Sequence, residues 1–420
     1  MSFFDPEIVE CPFPFYQAAR KEAPVMKLTA PGSEQSLYLV TRYDLVVEVL
    51  KDPGLYSSRF MNPIGRDKTD PDIEAIYDQG WPWVDTLLTS DPPEHRRYRS
   101  LVQGVFTAKR VHALAPDIEK VANELVDTFI DGGSCDFVTA FARPLPLRVI
   151  ANQYGVPAQD LPSFKRWSDS FVARLGGLVS KEEELECAQD VVALQHYLKK
   201  RIDERRSSPR DDLMSDLVHA RTEDAAPLSD AELINMLQQL LVAGNETTAN
   251  TLAGGLMSLI RVPETLAAVR AEPSLIKGLV RESLRIVTAQ SGMWRITTRE
   301  TELSGVSIPA GATILLRYDA ANRDPAQFPD PETFDIRRKS SPAHLAFGMG
   351  THFCVGSLLA LKEMEIGFGV LLTRLGRIRF AAGNDFKHRP NMMLRGLKRL
   401  NIEYDRSPAQ VMRKASAETN

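Results

Sequence analysis

Apolar residues recur at helical spacing along most of the chain. "APDIEKVANELVDTFIDGG" (115–133) predicts a helix that stops at Gly132. "EEELECAQDVVALQHYLKKRIDERR" (182–206) predicts a long helix with a charged outer face. Short extended pieces are predicted at "SLYLV" (36–40), "TILLR" (313–317) and "IRFAA" (378–382). From Asn322 to Pro342 the pattern lapses. "NRDPAQFPDPETFDIRRKSSP" is proline-rich and has no period, so it is an ordered irregular segment or a linker. No other stretch looks like a boundary, and helices flank this one. The expectation is a mainly α single domain over residues 1–405, with small β-sheets.

One helix stands apart. "SDAELINMLQQLLVAGNETTANTLAGGLMSLI" (229–260) opens with a capping box, Ser229 and Glu232, and Pro263 marks its stop. Unbroken, it would be about 48 Å long, so it crosses the molecule and is buried along much of its length. Its centre reads "AGNETT". Gly244 is costly inside a helix, and Thr247 and Thr248 can divert backbone carbonyls. An interruption is expected there, and such breaks in local rules mark functional sites.

Composition narrows the classes. The chain has 420 residues, 43% hydrophobic and 25% charged, with a net charge of −4, so no overall basic field points to nucleic acid. The N-terminal "MSFFDPEIVECPFPFYQ" has acidic residues and early prolines, unlike a signal peptide or a membrane anchor. Four scattered cysteines, Cys11, Cys135, Cys187 and Cys354, form neither a CxxC pair nor a zinc pattern, and suit a reducing cytoplasm. The polar tail "RSPAQVMRKASAETN" (406–420) reads as disordered.

Candidate chemistry centres on "HLAFGMGTHFCVGSLLALKE" (344–363), where Gly348, Gly350 and Gly356 surround Cys354. Three readings compete. A lone cysteine is most often a buried structural thiol. A nucleophile elbow needs Gly two residues earlier, where His352 stands, although a Cys–His dyad stays open. The third reading is a metal thiolate. A helix starting after Cys354 directs N–H groups at the sulfur, and glycines admit others. One thiolate cannot hold zinc alone, but it can hold haem, whose porphyrin brings the other ligands. The rings of Phe347 and Phe353 suit a flat cofactor.

Phe347, Gly350, His352, Cys354 and Gly356 reproduce F-x-x-G-x-[HR]-x-C-x-G, the haem-binding signature of the cytochrome P-450 family. "AGNETT" (243–248) resembles that family's oxygen-binding motif, "ESLR" (282–285) its E-x-x-R motif, and "FDIRR" (334–338) the segment with a further arginine. "DPPEHRRYR" (91–99) resembles its propionate-binding helix, and "SPRDDLMSDL" (208–217) a stretch of its soluble bacterial members. The matches run in the family's order.

The resemblance implies a helical triangular prism with small sheets, holding haem b (iron protoporphyrin IX) between the Cys354 loop and the long helix. Cys354 is then the axial ligand of the haem iron. Phe347, Gly348, Gly356 and Ala243 line the haem, and His95, Arg99, Arg295 and His352 meet its propionates. Glu282, Arg285 and Arg338 form a structural triad under the cysteine loop. Spacing alone cannot select that pair, because Glu94 and Arg97 match it too. Thr247 and Glu246 are the candidates for proton delivery to O2. Thr247 has a competing reading, in which it only bends the helix by bonding a carbonyl one turn back.

The implied activity is O2-dependent hydroxylation of a hydrophobic small molecule of terpenoid, steroid or aromatic type. Pocket candidates are Trp81, Trp83, Leu87 and Leu88; Val242 with Ala243; Ser291, Met293 and Trp294; and Met392, Met393 and Leu394. Ordinary packing competes as a reading of the tryptophans. Electrons would come from a separate iron–sulfur ferredoxin with an NAD(P)H-dependent reductase, docking on Arg96, Arg97, Lys109, Arg110 and Lys362. A cytoplasmic monomer with no membrane anchor is expected. A peroxide-driven enzyme of the same fold and a non-catalytic haem sensor are the alternatives.

Overall fold

The computed structural model describes residues 3–29, 36–60, 70–176, 179–222, 226–339 and 343–407. Its centre is the helix Asp230–Arg261. The box at its start closes in both directions: Ser229 Oγ accepts from the Glu232 N–H at 3.3 Å, and Glu232 Oε2 accepts from the Ser229 N–H at 2.8 Å. The helix runs unbroken through 243–248, against the expected interruption. Thr247 and Thr251 each donate to the carbonyl one turn back, at 2.7 and 2.8 Å, so the hydroxyls add to the helix rather than divert it.

Around this rod pack the helices Pro144–Gln153, Lys181–Ser207, Ile276–Val287 and Ser357–Arg374, all contributing to the largest apolar core. Close crossing depends on small residues. A Cβ on Gly255 would stand 2.6 Å from Ser283 Oγ and 2.9 Å from the Phe368 ring, so larger side chains would push the rod off both neighbours. The predicted helices at 115 and 182 are Ala115–Phe129 and Lys181–Ser207.

The extended pieces join two sheets. One has strand order Val25–Thr29, Ser36–Val40, Thr313–Arg317, Gly292–Thr297, Tyr56–Ser57. The other sets Asn401–Arg406 between Ser134–Asp136 and Leu375–Phe380. "IRFAA" is thus strand only to Phe380, and Arg406, expected in the tail, ends a strand. The rest of that tail, 408–420, lies outside the described residues. Among the described residues no single helix is long and apolar enough to cross a membrane.

Glu232 also joins two elements that are far apart in sequence. Besides its cap it accepts from Arg97 at 2.6 and 3.1 Å and from Tyr98 Oη at 2.8 Å, fixing the helix Glu94–Gln103 to the start of the rod. Partial burial would raise this carboxyl, but hydrogen bonds from Arg97, the Ser229 N–H and Tyr98 hold it at about 2. A depressed carboxyl stabilises the fold above its unfolded value and loses that contribution as pH falls through its folded value. Glu232→Gln should therefore lower the denaturation midpoint near neutral pH. Its difference from wild type should shrink steadily between about pH 5 and pH 2. A difference independent of pH would exclude this ionic role.

Candidate active site

The cysteine loop hangs from a segment without regular structure, and two arginines, one buried and one half-buried, hold that segment. Arg285 donates to Glu282 from Nε at 2.9 Å and from Nη2 at 2.6 Å, and Arg338 Nε reaches Glu282 Oε1 at 3.2 Å. The remaining guanidinium hydrogens go to backbone carbonyls. Arg285 bonds those of Asn322, Pro331 and Thr333, and Arg338 those of Pro329, Asp330 and Thr333. Arginine donors thus take the place of a strand partner. The look-alike pair does not form: Arg97 pairs with Glu232, and Glu94 with Arg59.

Asn322, at the head of this segment, passes order to the loop, because its Oδ1 accepts from the Leu345 N–H at 2.7 Å. Gly348 and Gly350 then take left-handed φ of 67° and 70°, and a Cβ on Gly350 would lie 2.6 Å from the Leu50 carbonyl oxygen. The loop folds back so that the Cys354 N–H donates to the Phe347 carbonyl at 2.9 Å, and Arg99 donates to the Phe353 carbonyl at 2.6 Å. The helix Ser357–Arg374 starts immediately after, capped by Gly356. Burial pushes the Cys354 thiol up, while the Gly356 N–H and the Arg99 charge pull it down. Phe347 is half-buried and Phe353 is exposed.

Beside the thiol lies an unbalanced group of donors. His95, 2% exposed, and His352 have ring centroids 4.3 Å apart, and neither Nε2 has a hydrogen-bond partner among the described residues. Burial pushes His352 down to about 3, and Arg295, His95 and Arg99 add to the effect. Arg295 is 4% exposed and donates to the carbonyl of Trp294, its neighbour in sequence. The nearby Asp91 already accepts from Ser57 Oγ and the Ser58 N–H. Buried cations and orphaned imidazoles call for an anion.

Haem fits these residues. Among the described residues no group of three or more His, Cys, Asp or Glu side chains could hold a metal ion. Cys354 therefore suits a metal that arrives with its other ligands, and the donor cluster suits carboxylates such as propionates. Ala243 and Gly244 are exposed in the otherwise buried middle of the rod, and a Cβ on Gly244 would meet nothing within 4 Å.

The acid next to this opening is tied elsewhere. Glu246 is buried and accepts from Arg143 at 2.5 Å; Arg143 also bonds Asp169 at 2.7 Å, and Arg389 stands 3.8 Å from Glu246. Sequence reasoning missed Arg143, which carries no motif. It also missed Glu363, which burial pushes up to about 8 against a lowering contact with Thr248. The signal for Glu363 was an acid on the inward face of the cysteine helix.

Most pocket candidates are packing residues. Leu87 belongs to the main core, and Trp294 is buried with Phe3, Tyr16, Leu39 and Leu315 on the far face of the sheet, beside Met392 and Met393. Met293 packs against the cluster on the other face. Val242 is buried with Phe171 and Val191. Ser291 is buried in backbone bonds to Met393 and Asp319, and Leu394 bridges to Gln290. Trp81 packs on the main core, with its backbone held by Gln195. Trp83 and Leu88, 38% and 36% exposed, and Ala243 keep open surface. The docking patch shrinks likewise. Arg97 is bound to Glu232, Arg110 to Asp211 and Asp216, and Lys362 to Glu365, while Arg96 and Lys109 are exposed.

Known proteins resemble the chain over most of its length. The family model described as Cytochrome P450 matches residues 178–391. Cytochrome P450 monooxygenase PikC of Streptomyces venezuelae is 37% identical over 94% of this chain and 91% of its own length. A steroid C26-monooxygenase of Mycobacterium tuberculosis is 33% identical over 94% of each chain. The solved structure of CYP109E1 from Bacillus megaterium in complex with testosterone has a TM-score of 0.80 and 31% identity, covering 93% of this chain and 99% of that one. With such kinship over nearly its full length, the chain belongs to the cytochrome P450 family and is a haem-dependent monooxygenase.

Proposed function

We propose that this enzyme hydroxylates a bulky uncharged molecule of steroid, terpenoid or aromatic type, with electrons from a separate ferredoxin. The observation that carries the reading is the cluster of His95, Arg99, Arg295 and His352 beside Cys354, buried or half-buried and without an ion pair among the described residues. In this reading Cys354 holds the haem iron and those four groups hold its propionates. Bound haem supplies dioxygen activation.

The protein's own residues set the rest. Burial works against the thiolate form of Cys354, and the Gly356 N–H and the Arg99 charge counter it. Thr247 Oγ1 has its proton on the Ala243 carbonyl, so it offers lone pairs and accepts a hydrogen bond from a protonated group or water. The back-bond expected of a mere helix-bending threonine and the proton-steering role are thus compatible, since one uses the hydrogen and the other the oxygen. Glu246 reaches the opening only by leaving Arg143, which makes its proton delivery a gated step. The exposed Trp83 and Leu88, and the relative named for a steroid, support a neutral hydrophobic substrate.

Three outcomes are expected. The reduced carbonyl complex of the wild type should show the red-shifted Soret band of thiolate ligation, and Cys354→His should abolish it; a variant that keeps the band would refute the ligand assignment. Thr247→Ala should fold, load haem and bind substrate, yet release most of the consumed oxygen as hydrogen peroxide. Product yield per reduced cofactor at the wild-type level would remove Thr247 from proton control. Ferredoxin-dependent reduction should slow with salt, and Arg96→Glu with Lys109→Glu should slow it further. Charge reversal at Arg97 should instead destabilise the fold through Glu232. Reduction rates indifferent to salt and to both reversals would rule out this face.

A further inference from the structure

The segment 81–90 is strapped to the helices by three side-chain amides, and among the described residues one of them has an unused NH2, Gln239, whereas Asn235 keeps only its Oδ1 without a partner. Gln195 closes a two-way pair with the Trp81 backbone, accepting at 2.9 Å and donating at 3.2 Å. Asn235 donates to the Pro82 carbonyl at 3.0 Å and to the Ala231 carbonyl at 2.8 Å. Gln239 is different. Its Oε1 accepts from the Leu88 N–H at 3.1 Å and from Thr86 Oγ1 at 3.4 Å, while its Nε2 donates to none of the described residues.

The orientation of this amide follows from chemistry. A backbone N–H can only donate, so the atom facing Leu88 is the oxygen, and the NH2 is turned away from the strap. Gln239 lies one helical turn before Ala243 and two before Thr247, on one face of the rod. Ala243 is exposed on that face, and Gln239 is itself half-buried. A donor held at its far end, turned away from the strap and borne on the same face as the exposed Ala243, discriminates among neutral ligands. It rewards an acceptor oxygen and leaves a methylene unrewarded.

We propose that Gln239 is a specificity-determining residue whose amide NH2, oriented by the Thr86–Leu88 strap, donates a hydrogen bond to a carbonyl or ether oxygen of an uncharged substrate. This rests on the reading of the Ala243 face as the substrate side of a haem pocket. It adds that the preferred substrate carries an acceptor oxygen on the strap side.

The test uses the haem-loaded protein as wild type, Gln239→Glu and Gln239→Leu. Matched ligands are titrated by the spin-state shift of the Soret band: testosterone against its 3-deoxo and 17-deoxo counterparts, and cyclopentadecanone against cyclopentadecane. Hydrogen exchange at the Leu88 amide is followed in parallel. In the wild type at least one oxygenated ligand should bind about three- to tenfold tighter than its deoxo partner. Both variants should bring that ratio near one. Gln239→Glu keeps an oxygen for Leu88 and should retain its protection, whereas Gln239→Leu should lose it. A ratio absent in the wild type, or unchanged in Gln239→Glu with the strap still protected, would overturn the proposal. A wild type that gives the thiolate band but shifts with none of these ligands would overturn it as well. Loss of the thiolate band itself would strike the haem-site reading instead.

Discussion

One buried carboxylate, Glu282, organises the face of the molecule that carries the cysteine. Residues 322–339 form neither helix nor strand, so their carbonyls need donors from elsewhere. Arg285 and Arg338 supply them, but a guanidinium 2% exposed, as Arg285 is, needs a counter-charge to remain there. Glu282 is that counter-charge for both, and it also accepts from the Asp335 N–H at 3.0 Å. Removing the carboxylate would strand two cations and loosen the backbone they grip. Asn322 transmits the order onward to Leu345 and so to the cysteine loop.

The opposite face of the site follows the reverse rule. At the triad every charge is paired; at His95, Arg295 and His352 none forms an ion pair with an acid among the described residues. The depressed His352 and Arg295 register the cost of crowding donors away from water. Such an arrangement destabilises the protein by itself, and an incoming dianion relieves it. On the proposal that haem propionates bind here, binding energy for the cofactor is stored as unmet hydrogen-bonding demand. Asp91 offsets Arg295 and His95 only as a nearby charge, since its oxygens are taken by Ser57 and Ser58 and face Arg59.

Much of this was legible in the sequence, for local reasons. Capping boxes, helical periodicity and the glycine spacing around Cys354 depend on residues near one another in the chain. Partnerships between distant residues were not legible. Glu94–Arg97 and Glu282–Arg285 have identical spacing, and only the fold reveals that Arg97 turns to Glu232. The same fact removed Arg97 from the expected docking patch, as Asp211 and Asp216 removed Arg110. Trp294 shows a second limit. On a strand covered on both faces, the apolar run "GMW" does not say which residue faces the site. The broken centre expected of the long helix failed because threonine hydroxyls can join a helix without leaving it.

An unbroken rod has a mechanical consequence. With a rise of about 1.5 Å per residue, the positions along Asp230–Arg261 are held at fixed spacing and fixed angles. Glu232 clamps the histidine helix at its head. One to two turns on, Asn235 and Gln239 hold the 81–90 strap. Another turn brings the Ala243–Gly244 opening and then Thr247, and Gly255 lets the rod cross the helix that bears Glu282. A kink at 243–248 would let these contacts slide relative to one another. The helix stays continuous, so the histidine helix, strap, opening and triad share one ruler, and a shift in any of them is resisted by all.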